Sequence, residues 1–63
     1  MELDIKRIRE RKNMTQQELA DKAGVSRAII SALETRPEVV TTTATLQKLS
    51  DALEMKVSDL FLQ

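Results

Sequence analysis

Asp51 and Glu54 stand three positions apart, the spacing at which two carboxylates could share acid–base work. Nothing around them completes such a site. The chain has no histidine and no cysteine, so the commonest general base, the commonest metal ligand and the thiolate nucleophile are all missing. The pair reads as solvated surface, and no catalytic or metal constellation is expected. The chemistry that remains is hydrogen bonding and ion pairing. Its carriers are amides (Gln16, Gln17), hydroxyls (Ser26, Ser31, Thr41, Thr42, Thr43) and guanidiniums (Arg9, Arg27, Arg36). Groups of this kind recognise a polar or anionic partner rather than transform a substrate.

Charge totals say little about that partner. Ten basic residues balance ten acidic ones, and a neutral chain is weakly disfavoured as a nucleic-acid binder. The distribution is uneven, however. Residues 1–36 hold eight basic against six acidic side chains, and residues 37–63 hold two against four. The basic run "KRIRERK" is expected to be a solvated helix face at Arg7 and Arg11, with Lys6 and Lys12 as weak phosphate contacts. Phe61, the lone aromatic, is expected in the core, because one ring cannot form a base-stacking platform for single strands.

Positioning these groups requires helices. A length of 63 residues implies one domain over 1–63, near the lower size limit for independent folding. No apolar run is long enough for a membrane span or a signal peptide, and a start at Met1 without a tag suggests a complete cytoplasmic product. Asp4 is expected to cap a first helix over about 4–12, with Ile5 and Ile8 inward. Thr15 and Glu18 form a capping box that starts a second helix near Gln16, with Glu18 and Lys22 in the favourable i,i+4 order. Gly24 ends it. Ser26 caps a third helix over about 27–35, which Pro37 prevents from continuing. Residues 35–42 read as a loop in which Val39 and Val40 form a short extended piece. Thr42 or Thr43 caps a fourth helix to about Leu53, and Ser58 caps a final stub carrying Leu60 and Phe61.

Two short helices joined by a glycine turn define a helix-turn-helix. Counted from Gln16, apolar residues fall at places 4, 8, 10, 15 and 18 (Leu19, Ala23, Val25, Ile30, Leu33), place 5 is the small Ala20, and place 9 is Gly24. Each place has a packing reason. The stretch "MTQQELADKAGVSRAIISALE" resembles the lambda-repressor-like (Cro/CI, XRE-type) helix-turn-helix DNA-binding family, and the likeness runs on through "ATLQKLSDALEMKVSDLF".

The resemblance implies an all-α, compact five-helix bundle in which helices 2 and 3 form the motif and helix 3 enters the major groove of double-stranded DNA. It also implies roles for single residues. Ser26, Arg27, Ala28, Ile29, Ser31 and Ala32 take the base-reading positions. Arg27 is suited to grip guanine bidentately, while Ala28 and Ala32 offer only apolar contact, as to a thymine methyl. Ile29 is unusual, since the matching place is commonly small or polar; it too can meet a thymine methyl. Gln16 and Gln17 at a helix start, with Arg36, Thr41, Thr42 and Thr43, take the phosphate positions. Arg9 and Glu34 match a largely buried ion pair that orients the recognition helix. The chain departs from the family in two places. The loop after Glu34 lacks the usual glycine and is slightly longer, and Glu54 stands where a helix-ending glycine is common.

The function these features imply is a sequence-specific transcriptional regulator, a repressor acting as a homodimer on a near-palindromic operator. Val57, Leu62 and the Val39–Val40 loop are candidates for the dimer surface. No cofactor is implied, and a chain this short has no room for a small-molecule sensor. Control would then run through concentration, a protein partner or degradation, as in a phage or plasmid repressor, a restriction–modification control protein or an antitoxin. The alternative from another class is a protein-interaction module on the same fold with weak or no DNA binding, which the neutral charge and the alanines at reading positions favour.

Overall fold

In the computed structural model, which describes residues 2–36 and 41–62, the order of elements follows local stop and start signals. Helix α1 spans Ile5–Arg11, α2 Gln16–Ala23, α3 Arg27–Thr35 and α4 Thr43–Leu53, and a single 3₁₀ turn spans Val57–Leu60. The fifth helix of the expected bundle is therefore a 3₁₀ turn: among the described residues four α-helices carry the fold. Four residues separate Lys56 from Phe61 in a segment whose backbone is extended at both flanks, too little length for a regular helix to form.

Capping explains most of the boundaries. The Thr15 hydroxyl accepts the Glu18 N–H at 3.0 Å, and the Glu18 carboxylate accepts the Thr15 N–H at 2.9 Å, so both members of the expected box are engaged. The same use occupies Glu18, and its expected pairing with Lys22 does not form; the ion pairs among the described residues are Asp4–Arg7 and Arg9–Glu34. Ser26 caps α3 by accepting the Ile29 N–H at 3.2 Å, and Thr42 caps α4 by accepting the Thr45 N–H at 3.1 Å. Asp4 does hold the position before α1, but its side chain makes no capping bond; its carboxylate turns to the Arg7 guanidinium 2.7 Å away. Ser58 is likewise not a cap. It lies inside the 3₁₀ turn, and Asp59 reaches back instead to accept the Lys56 N–H at 3.3 Å.

Among the described residues, three adopt a left-handed backbone: Gly24 (φ +71°), Asn13 (φ +56°) and Glu54 (φ +57°). Asparagine tolerates this region, glycine favours it, and glutamate carries a steric cost there. The helix-ending place without its usual glycine thus keeps the left-handed geometry and forces Glu54 to bear the strain. The bonds it secures are those of a helix end, with the Met55 N–H reaching the Ser50 carbonyl at 3.0 Å.

The core forms where α2 packs against both α3 and α4, with α1 laid on α3 and the 3₁₀ turn on α4. Leu19, Ile30, Leu49, Leu53 and Leu60 are fully enclosed, Ala20 and Ala23 keep the α2 crossings close, and Met14, Val25, Leu46, Met55 and Phe61 seal the edges. Among the described residues Ser50 is the buried polar one, and its hydroxyl donates to the Gln47 carbonyl at 2.9 Å, which satisfies it inside the helix. The two ends of the described chain meet. Leu3 and Phe61 form an isolated antiparallel bridge, with the Asp4 N–H bonded to the Leu60 carbonyl and the Leu62 N–H to the Glu2 carbonyl, both at 2.7 Å. This clasp closes the bundle across its termini and buries Leu3.

Candidate nucleic-acid interface

Gly24 sets the angle between α2 and α3. Its own N–H and that of Val25 both turn back to the Ala20 carbonyl, which closes α2 in a left-handed turn. Two residues later Ser26 begins α3. Ile30 and Leu33 anchor that helix on the core, and Ser26, Arg27, Ala28, Ile29, Ser31 and Ala32 are all exposed. The six positions assigned to base reading therefore share the solvent side of one helix. Their chemistry differs, though. The Ser26 oxygen accepts the cap bond and keeps its O–H, Arg27 and Ser31 are the other polar groups, and Ala28, Ile29 and Ala32 are apolar. Ile29 is 39 % exposed, high for an aliphatic side chain of its size. The one carboxylate on α3, Glu34, faces inward, so the solvent side of this helix carries no negative charge.

Glu34 lies at the centre of a hydrogen-bonded cluster. Arg9 Nε donates to its Oε2 at 2.7 Å, Arg9 Nη2 to its Oε1 at 3.1 Å, and Gln16 Nε2 to the same Oε1 at 3.0 Å. Arg9 Nη1 donates further to the Met14 carbonyl at 2.6 Å. The side chains of Arg9 and Glu34 are 11 % and 5 % exposed, so the pair is nearly enclosed. Burial pushes the Glu34 carboxyl upward, but the hydrogen bonds from Arg9 and Gln16 and the charges of Arg9 and Lys6 outweigh it, and its pKa falls below the ordinary carboxylate value. The hydrogen bond to Glu34 raises the Arg9 pKa against the opposing effect of burial. One bidentate ion pair thus ties α1, the turn before α2, the first residue of α2 and the end of α3 into a single unit.

The positions assigned to phosphate divide differently. Gln16, half-buried at the start of α2, gives one amide N–H to Glu34 and keeps the other. Gln17, exposed beside it, donates to Asp21 at 2.8 Å. Arg36 is exposed just past α3, at the end of the helix that the Gln16–Glu34 bond brings against the start of α2. Thr41 is half-buried, Thr42 is committed to the α4 cap, and Thr43 is exposed at the first residue of α4. Residues Val39 and Val40, named for the dimer surface, lie outside the described residues. Of the other two candidates Val57 is half-buried and Leu62 is 47 % exposed. Among the described residues no acidic side chains cluster as metal ligands would, and no helix is long and apolar enough to cross a membrane.

A left-handed turn between two capped helices, with the second helix presented on the surface, defines a helix-turn-helix protein. The family model described as helix-turn-helix matches residues 5–60, nearly the whole chain, and the protein belongs to that family, the XRE or lambda-repressor-like group of DNA-binding regulators. No curated protein matches the chain. Sequence reasoning placed Arg9 opposite Glu34 through the family pattern. It did not find Gln16 as the third partner, because Gln16 and Glu34 are 18 positions apart and nothing local links them.

Proposed function

We propose that this protein is a transcriptional repressor that binds a near-palindromic double-stranded operator as a homodimer, with α3 of each copy in the major groove. The observation that carries the reading is the solvent side of α3: six exposed positions in register, free of carboxylate, on a helix whose direction is set by Gly24 and by the Arg9–Glu34–Gln16 cluster. Arg27 reads a guanine, Ser31 and the apolar residues meet neighbouring base edges, and Arg36, the second Gln16 N–H, Gln17, Thr41 and Thr43 hold phosphates, while Thr42 fixes the start of α4 beside them. Residues 1–63 act as one DNA-binding domain in the cytoplasm, and Leu62 and Val57 contribute to the dimer contact.

Selection of bound sites from random DNA with the purified protein tests this reading directly. A recurring half-site in inverted repeat supports it; failure to enrich any sequence at low salt overturns it. A second reading, a protein-interaction module on the same fold, draws on the exposed Ile29 and the zero net charge. A low-salt mobility-shift assay on genomic fragments separates the two, because the module retains no DNA at any salt concentration.

A further inference from the structure

The exposed surface of α3 is divided along its length. Successive residues of an α-helix are turned by about 100°, so the exposed positions can be ordered around the axis. Starting from one flank, the order is Arg27, Ser31, Thr35, Ala28, Ala32, Ile29. The first three carry hydrogen-bonding groups. The last three carry none and form a continuous apolar edge that ends in the large, exposed Ile29. Ile29 is the third residue of the helix, and the N-terminal part of a recognition helix is the part that reaches base edges. A protein of this charge gains little from phosphates alone, so an apolar side chain at this place has to meet something apolar within the groove. In the major groove the apolar feature of a base pair is the methyl group at C5 of thymine. Cytosine methylated at C5 presents the same group at the same ring position.

We propose that the Ala28–Ala32–Ile29 edge is a reader of pyrimidine C5-methyl groups, with Ile29 as its specificity-determining residue, and that it makes the protein's affinity depend on cytosine methylation as well as on thymine. This rests on the DNA-binding reading above. Two features favour a base methyl over an apolar surface of another protein. The edge is narrow, two alanines and one isoleucine, which suits isolated methyl groups better than a packed side-chain patch. It also shares the exposed side of α3 with Arg27, across Ser31 and Thr35, on a helix face with no carboxylate to repel phosphate.

The experiment uses the full chain and a duplex of its selected site. Each thymine is replaced in turn by deoxyuridine, which removes only the methyl group, and binding is followed by fluorescence anisotropy for the wild type and for Ile29→Ala. At one or two positions the wild type is expected to lose about fourfold in affinity, the effect of burying one methyl group. Ile29→Ala is expected to be indifferent to deoxyuridine at those positions while keeping the wild-type melting temperature, since Ile29 lies outside the core. Placing 5-methylcytosine there should bind the wild type about fourfold more tightly than placing cytosine, again with no difference for Ile29→Ala. Wild-type binding that ignores deoxyuridine at every thymine overturns the proposal and leaves the DNA-binding reading standing. So does a methyl effect that persists undiminished in Ile29→Ala. If the wild type binds no duplex at all, both readings fall.

Discussion

Arg9 serves one carboxylate and one carbonyl on different elements, so its removal leaves both without their donor. Glu34 then remains a nearly enclosed charge held by Gln16 alone. Stranding a buried partner costs far more than the net worth of the intact pair. Arg9→Ala is therefore expected to lower Tm by roughly 10 °C, a shift readable by circular dichroism, given about 4–8 °C per kcal/mol for a domain of this size. The same pair predicts a pH dependence. Because the folded Glu34 pKa lies below its ordinary value of 4.5, the unfolded chain takes up the proton first as pH falls. The stabilisation is complete above that value and is lost as pH drops through the folded pKa. Denaturant titrations of the wild type and Glu34→Gln should thus differ most near neutrality and converge as pH falls below 4.5 and through the lower folded pKa. A constant gap would show that the charge of Glu34 is not what stabilises the fold. Arg27 acts outward instead. Arg27→Ala should relax selectivity at a single base pair by about 1–3 kcal/mol in a competition assay, whereas an equal loss on all sequences would make it a phosphate contact.

Among the elements, the helix ends show what strain the backbone tolerates. Beyond Gly24 and its two chain neighbours, no atom lies within 4 Å of where a Cβ on Gly24 would sit, so space is not the reason for the glycine; φ is. Gly24→Ala should cost about 1–2 kcal/mol from backbone strain alone, and a β-branched residue more. Glu54 presents the converse case. With φ +57° and ψ +49°, it pays the penalty that Gly24 avoids, and Glu54→Gly should raise Tm by several degrees, as relief of about 1 kcal/mol would. These ends were legible in the sequence because their signals are local. Thr15 with Glu18, Gly24, Ser26 and Thr42 each act within four positions of themselves, and the starts of α2, α3 and α4 and the end of α2 followed from them. The misreadings occurred where two local partners competed. Asp4 could cap α1 or pair with Arg7, and the ion pair prevailed; Glu18 could hold Lys22 or the Thr15 N–H, and the cap prevailed. What the sequence did not disclose is non-local. The Leu3–Phe61 bridge and the Gln16–Glu34 bond join segments whose meeting depends on the finished packing, and no periodicity announces either.

For the molecule as a whole, size and charge limit what one copy can do on DNA. A single recognition helix covers little surface: one-module interfaces bury about 600–1,000 Å², toward the low end for specific complexes. The zero net charge gives little help from phosphate neutralisation, which supplies most non-specific affinity. Both limits favour the proposed homodimer, whose two-fold symmetry would fix the geometry of the site. In that dimer the two α3 helices would enter major grooves on one face of the duplex, with half-site centres about 10–10.5 bp apart or a multiple of that. Inserting about 5 bp between the half-sites turns one of them to the opposite face, while about 10 bp restores the facing but lengthens the span. The first insertion should reduce affinity to that of an isolated half-site. The second should do the same if the dimer is a rigid pair joined near Leu62, and should recover affinity only if the copies are flexibly linked. Leu62→Lys distinguishes the dimer contact from the fold. Its side chain is exposed and outside the core, so Tm should hold while the full site is bound no better than the half-site. Equal affinity of the unaltered protein for full, spaced and half sites would mean that each copy binds alone, and would remove the homodimer from the proposed function.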